Sequence, residues 1–518
     1  MPLAKAMMTV AGMTGLSRIA GFVRDILTAA YLGAGPLADA FFVALKLPNF
    51  FRRVTAEGAF SVAFVPLYSR QLENEGEEAA GRFAGNAFMI MLLALSVFTL
   101  VAVTYMPAVI ALIAPGFSDD PQRFDPSVEL SRITFPYLLL MSLCALLGGM
   151  MNAHDKFAPF AFAPVLFNLC IIAAILIGAE FAPDAVLSVR HAMAWGIFIS
   201  GMLQFIWLFG CLRRYRIRLY LGAPSFTANT QKLFRLMGPG VIGAGVMHIN
   251  LFADMIIASL LTAGSISYLY YADRLNQLPL GMVGIAVGTA LLPMLSKALA
   301  SDDRSEARDL FNRSLEYCML LALPAAAALF IVPDIIIRAL FERGEFTSGD
   351  TATTSLVLKG YAIGLPAYIA VKVLSTAYWS REDTMSPVKI SILITVINII
   401  MSLILIHPLG VAGIAFSTGA VGWLQVYLLH RGLKGFDETQ FDDRLIRHLI
   451  RIIVAALAMG GAVYGVSFMM DNVWDVSKYI DLALCVLAGI IVYGALTIHF
   501  DLIRQQDIQK YFKRKIKE

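Results

Sequence analysis

Charge is what this sequence has least of. Of its 518 residues only 15% are charged, while 58% are hydrophobic. A soluble domain carries about a quarter charged residues, so an ordinary soluble fold is excluded. The net charge of +4 is too small to suggest a nucleic-acid binder. Cysteine is sparse too. Cys144, Cys170, Cys211, Cys318 and Cys485 lie far apart, each in an apolar stretch, with no CxxC and no histidine at ligand spacing. They read as core thiols, not as a disulfide framework or a metal site, and no cofactor is expected. The patterns GxxxxGK[ST], HExxH and GxSxG are all missing. Nucleotide hydrolysis by a phosphate loop, zinc proteolysis and hydrolase-type serine chemistry therefore have no support. Long polar stretches are missing as well. The longest connections, near 69–82, 114–129, 213–232 and 432–446, leave no room for a soluble domain.

What fills the chain is apolar runs. Mean hydropathy is +0.72. A spanning helix needs about 20 apolar residues, and by that measure the chain holds about fourteen spans. The first covers 6–32, the second 37–68, the seventh 233–261, the eighth 266–297 and the last two 447–470 and 479–500. The fold class is therefore an all-α polytopic membrane protein. Arginines interrupt the first run and no small-residue cleavage site follows it, so it reads as a retained helix, not a signal peptide. With both termini cytoplasmic, one side collects Lys5, Arg70, Arg82, Lys156, Arg213, Arg214, Arg216, Arg218, Lys232, Arg235, Lys297, Arg304, Arg308, Arg313, Arg381, Lys389, Arg431, Lys434, Arg444, Arg447, Arg451 and the tail "RQQDIQKYFKRKIKE". The other side has Arg123, Arg132, Arg190, Arg338, Arg343, Lys359 and Lys478. This bias sets the orientation.

The chain repeats itself. "LGAGPLADAFFVALKLPN" from Leu32 resembles "LTAGSISYLYYADRLNQLP" from Leu261, and "VPLYSR" from Val65 resembles "LPMLSK" from Leu292, both at an offset of about 228 residues. Six spans separate the copies, so both enter the membrane in the same direction. That predicts two parallel six-helix lobes around a central cavity, 1–218 and 219–440, with 441–518 adding two helices and the basic tail. Such repeats are typical of alternating-access transporters, which bind substrate between the lobes.

Several spans carry charge where lipid is expected. Span one holds Arg18, Arg24 and Asp25. Span two holds Asp39, Lys46, Asn49, Arg52, Arg53 and Glu57. Asp39, Lys46, Asn49, Arg53 and Glu57 recur at helical spacing and form one polar stripe, with Arg52 about 100° away. Asp254, Asp273, Arg274 and Lys372 lie in later spans. An arginine at the bilayer centre costs about 2.5–3.5 kcal/mol, so four facing lipid would cost on the order of 10 kcal/mol. They must face the bundle interior. One reading is ion-pair glue: Arg53 with Glu57, Arg24 with Asp39, Arg274 with Asp273 or Asp254. The other is an anion site. The cations outnumber the anions, and a guanidinium fork suits a phosphate. Gly12, Gly15 and Gly21, and Gly281, Gly284 and Gly288, permit bending or close packing. Pro48 is expected to loosen span two. An enzyme acting on lipid would need an acid–base constellation near an interface, whereas these charges lie deep. A drug or organic-cation exporter would line its cavity with carboxylates. A non-transporting scaffold leaves the arginines unexplained.

The segments "SRIAGFVRD", "ADAFFVALKLPNFFRRVTAEGAFSVAFVPLY", "APGF" (114–117), "ITFPY" (133–137), "YYADRLNQLPLGMVGIAVGTALLP" and "SPVKI" (386–390) resemble the MurJ (MviN) family of lipid II flippases. The family belongs to the multidrug/oligosaccharidyl-lipid/polysaccharide exporter superfamily. The resemblance covers essentially the whole chain. It implies movement of lipid II, the undecaprenyl-pyrophosphate-linked peptidoglycan precursor, to the outer leaflet of a bacterial inner membrane, by alternating access driven by the membrane potential or an ion gradient. It implies a substrate site at Arg18, Arg24, Arg52 and Arg274, with Ser17, Asp39, Lys46, Asn49, Arg53, Glu57 and Ser267 around them. Asp25, Asp39 and Asp254 are candidates to couple a monovalent counter-ion. Spans thirteen and fourteen are expected to form a groove for the lipid tail. The chain is expected to work as a monomer, alongside the cell-wall synthesis machinery. Some relatives carry glutamate where this chain has Gln277, so no carboxylate role is carried over there. A flippase for another lipid-linked oligosaccharide, or a drug or cation antiporter, is the alternative.

Overall fold

The structure is a computed structural model, and it describes residues 3–53, 60–180, 185–286, 291–301, 303–473 and 477–502. Ten helices among these residues are long and apolar enough to cross a membrane. The four other predicted spans are helical too over their described residues. They correspond to α1 (Leu3–Leu32), α2 (Pro36–Arg52) with the first arm of α3 (Ser61–Thr104), α9 (Ala228–Ser259), and α10 (Ser265–Ala286) with α11 (Leu292–Ala300). The remaining helices of the first half are α4 (Met106–Ile113), α5 (Pro121–Thr134), α6 (Tyr137–Ala153), α7 (Ala158–Glu180) and α8 (Ala185–Arg214). Those of the second half are α12 (Arg304–Ile331), α13 (Pro333–Leu340), α14 (Ser348–Trp379), α15 (Met385–Leu409), α16 (Ala412–Leu433), α17 (Asp443–Val473) and α18 (Lys478–His499).

The chain packs as two compact units. One is Met1–Ser267 with Arg343–Thr347; the other is Tyr268–Glu342 with the chain from Ser348 onward.

In the first unit the helices end and bend for identifiable reasons. Gly76 has φ +84, so α3 breaks there into two arms. Pro48 lies inside α2 without ending it. A proline has no N–H, so the carbonyl four residues back, on Ala44, loses its helical partner. Thr134 replaces it: its Oγ1 donates to Ala44 O at 2.7 Å.

Three helix ends in this unit are capped by groups distant in sequence. The Ala30 carbonyl, in the last turn of α1, accepts Glu345 N–H at 2.9 Å. The chains meet through Gly33 (φ +63) and Gly344 (φ +58); a Cβ on Gly33 would lie 2.4 Å from Glu345 O, and one on Gly344 would lie 2.1 Å from Ala30 O. At the end of α9, the buried Arg123 donates to Leu261 O at 2.9 Å and Ser259 O at 3.3 Å. A cation at a helix C-terminus satisfies carbonyls that the helix leaves open. Asp39 serves the start of α10, as described below.

The second unit is held by small residues. A Cβ on Gly360 of α14 would lie 2.7 Å from Phe416 N, and one on Gly419 of α16 would lie 2.5 Å from Gly360 O. Between apolar helices in lipid, such close approach is the source of attraction. The glycines singled out from sequence behave differently. A Cβ on Gly12 or Gly15 would meet nothing within 4 Å among the described residues. Gly288 lies outside the described residues.

Candidate functional site

The charged groups of α1 are assembled around Arg24. Its Nε and NH2 donate to Asp25 Oδ1 at 3.1 and 2.6 Å, and its NH1 donates to Asn168 Oδ1 of α7 at 2.9 Å. The Arg24 guanidinium also lies 5.6 Å from the Phe167 ring centroid. Both charged side chains are nearly dry, 7% and 2% exposed. Removing two ions from water costs several kcal/mol each, and mutual attraction offsets this only where further hydrogen bonds complete the shell. Asn168 completes it. Its amide nitrogen reaches Ser17 O at 3.0 Å, Ser17 Oγ at 3.3 Å and Pro164 O at 3.0 Å. One neutral side chain thus links Ser17 to Arg24, two turns apart on α1. Arg18 points elsewhere and is exposed.

The stripe on α2 changes along its length. Asp39 is fully buried, Lys46 and Asn49 are half-buried, and Arg53 is exposed. Asn49 donates to Leu45 O at 2.7 Å, which leaves its Oδ1 to accept Arg52 Nε at 3.2 Å. Glu57 lies outside the described residues, so its pairing with Arg53 is not described.

Asp39 departs from expectation. The sequence suggested Arg24 as its partner. Its oxygens instead accept Gly264 N–H at 2.7 Å, Ser267 N–H at 2.9 Å and the Ser267 hydroxyl at 2.7 Å. The physical reason is local. The first-turn N–H groups of a helix lack intrahelical acceptors and attract a carboxylate. Asp39 and Ser267 stand 228 residues apart; in the repeat Ser267 aligns with Ala38, the neighbour of Asp39. Asp254, the remaining coupling candidate, is half-buried on α9.

In the second unit, Arg274 is half-buried with its guanidinium 5.6 Å from the Tyr270 ring centroid. Gln277, one turn on, donates to the Asp273 carboxylate. A glutamate there would face Asp273 as a like charge. Further along, α12, α13, α17 and α18 wall a partly open apolar pocket of about 260 Å³, lined by Pro324, Val332, Ile336, Met459, Val463, Leu482, Cys485, Gly489 and Tyr493. Its helices are pinned on one side by Arg338 NH2 to the buried Asp481 at 3.2 Å. On the other side the buried Glu316 takes Arg444 at 3.3 Å and His448 Nδ1 at 2.6 Å, beside Arg313.

Sequence reasoning missed Asn168. Its signal was a lone amide inside an otherwise apolar run, four residues after a proline. It missed Thr134 and Arg123 because their partners lie far along the chain.

A polytopic helical chain with charged groups such as Arg24, Asp25 and Asp39 buried on its spans and an internal repeat has the architecture of a membrane transporter. Solved structures of the same fold include an inward-facing multidrug MATE transporter, TM-score 0.66 at 14% identity, covering 87% of this chain and 99% of that one. The family model for "Lipid II flippase MurJ" matches residues 28–484, and the chain belongs to that family. It is 38% identical to a probable lipid II flippase MurJ of Rhizobium tropici, over 96% of this chain and 93% of the relative. It is 32% identical to the lipid II flippase MurJ of Burkholderia cenocepacia over the full length of both. A solved MurJ structure in an inward closed conformation matches at TM-score 0.80 and 29% identity, over 96% of this chain and 99% of that one.

Proposed function

We propose that this chain carries lipid II from the inner to the outer leaflet of a bacterial cytoplasmic membrane by alternating access, with both termini in the cytoplasm. Family membership supports the substrate. The observation that carries the site is Arg24, a cation held nearly dry on a membrane helix by Asp25 and Asn168. A guanidinium whose orientation is fixed in advance binds a pyrophosphate at lower entropic cost. Arg18, Arg24, Arg52 and Arg274 are assigned to the pyrophosphate, with Ser17, Lys46, Asn49, Arg53 and Glu57 forming the polar surroundings. Asp39 and Ser267 bond one another and are assigned to positioning of helices. Among the coupling candidates Asp25, Asp39 and Asp254, Asp25 is favoured. Protonating it, or giving it a monovalent cation, removes a competing acceptor while Asn168 still orients Arg24, so guanidinium donors open to the substrate. The division 1–218, 219–440 and 441–518 is retained as the lobe plan. The apolar pocket beside α17 and α18 is assigned to part of the polyprenyl tail. The work is transport, not covalent chemistry, by a monomer that hands its product to cell-wall synthesis.

The test is transport of purified lipid II in vesicles, with and without an imposed potential or ion gradient. Arg18→Ala, Arg24→Ala, Arg52→Ala and Arg274→Ala are each expected to lower outer-leaflet exposure. Full activity in all four would overturn the anion site. Transport of another lipid-linked oligosaccharide in place of lipid II would favour the second reading.

A further inference from the structure

The connection from α8 to α9 has a composition and a geometry that the transport site does not use. From Arg213 to Arg235 the chain carries Arg213, Arg214, Arg216, Arg218, Lys232 and Arg235 and no acidic residue. All six cations are exposed. Large apolar side chains stand among them in solvent-facing positions: Phe226 is 69% exposed and Leu221 55%. An exposed phenylalanine beside six cations is not needed to orient a protein in a membrane, for which charge alone suffices.

This connection is also built, not loose. It lies against the second arm of α3, where Tyr220 N–H reaches Gly81 O at 3.3 Å. A Cβ on Gly85 would lie 1.8 Å from Tyr220 O, so only glycine lets the two backbones approach. Asn86 accepts Ser225 N–H at 2.7 Å, donates to Ser225 O and reaches Thr230 Oγ1 at 2.8 Å. Ile217 and Leu233 turn inward, 9% and 1% exposed, and so hold the remaining side chains outward. The carboxylates near it are Glu77 and Glu78 of α3, and Arg82 already pairs with Glu78. The cation excess therefore faces outward.

We propose that residues 213–235 form a fixed strap that docks on the anionic phospholipid headgroups of the membrane in which the chain sits. Only residues 215–227 separate the helical end at Arg214 from the helical start at Ala228. α8 is long and apolar enough to cross a membrane, and the span expected from residue 233 begins within α9, which places the strap at headgroup depth. There cations meet phosphates while Leu221 and Phe226 reach the acyl boundary.

The experiment is amide hydrogen exchange on the full chain, reconstituted in phosphatidylcholine vesicles with and without phosphatidylglycerol. Phosphatidylglycerol is expected to slow exchange over 219–223 severalfold, and high salt is expected to reverse it. The combined variant R214Q/R216Q/R218Q is expected to lose the slowing while amides of α6 and α8 exchange as before. Phe226→Ser is expected to weaken it. Equal exchange in both lipids would overturn the proposal. So would the same slowing in phosphatidylcholine on adding inorganic pyrophosphate, because that would mark a free-anion site and not a surface contact.

Discussion

Arg24 shows how a charged residue persists in an apolar helix. Its charge is matched by Asp25, and its geometry is set by Asn168, which belongs to another helix. These are separable functions, and substitutions separate them. Arg24→Lys keeps the charge but gives up the planar fork that reaches Asp25 and Asn168 together. Transport of lipid II in vesicles should fall at least tenfold, with the protein still folded. Asn168→Ala keeps Arg24 and Asp25 but removes the hydrogen bonds to Arg24 and Ser17. Hydrogen bonds to charged groups are worth about 1.5–3 kcal/mol, which corresponds to roughly ten- to more than a hundredfold in substrate engagement. The expected signature is weaker lipid II binding together with lower turnover. If Asn168→Ala lowered only thermal stability, with binding and turnover unchanged, Asn168 would be structural and Arg24 would need no orientation. Arg24 and Asp25 could be singled out from sequence because charge in an apolar run is conspicuous. Asn168 could not, since a lone amide in such a run says nothing about which helix it faces.

At the scale of the helix, the chain repairs its own interruptions with partners from elsewhere. Pro48 orphans Ala44 O, and Thr134 takes it up. Thr134→Val should cost about 1–3 kcal/mol, the range for leaving a buried acceptor unsatisfied. In a Pro48→Ala background the helix regains its own N–H donor, and the same substitution should cost much less. Thermal unfolding of the four proteins of this cycle reads the coupling directly; strict additivity would mean Thr134 does not compensate for the proline. Asp39 does the corresponding service for the start of α10. Asp39→Ala strips two backbone donors and one hydroxyl of their acceptor, and a lost helix-end cap costs about 0.5–2 kcal/mol. Asp39→Asn, which keeps one carbonyl acceptor, should lie between the two in melting temperature. If Asp39→Ala melted like the parent, the bonds to Gly264 and Ser267 would contribute nothing. The helices themselves were legible, since a run of apolar residues long enough to span lipid has few alternatives. Their caps were not. Asp39 looked like one member of a polar stripe, and periodicity reports the face of a helix without naming what it faces.

For the whole molecule, the sequence pattern was strongest where lipid dictates it and weakest where one helix addresses another. Apolar run length is imposed by the bilayer, so the spans could be read. The pocket walled by α12, α13, α17 and α18 depends on which small residues meet, and no periodicity in α18 marks Gly489 as part of its lining. That pocket offers a test on the intact chain that separates tail from head group. A Cβ on Gly489 would lie 3.4 Å from Val463 and 3.8 Å from Met459, ordinary contact distances, so Gly489→Ala should be tolerated. Gly489→Phe adds an aromatic ring to a space of about 260 Å³ and should narrow it. If the pocket receives part of the polyprenyl chain, Gly489→Phe will slow transport of full-length lipid II, and a short-chain analogue with the same head group will move at close to the parent rate. The residues proposed for the pyrophosphate lie on other helices, so anion affinity should be unchanged in this variant. Equal slowing of both substrates would instead indicate a general loss of motion or folding, and unchanged transport of both would remove the tail from this pocket.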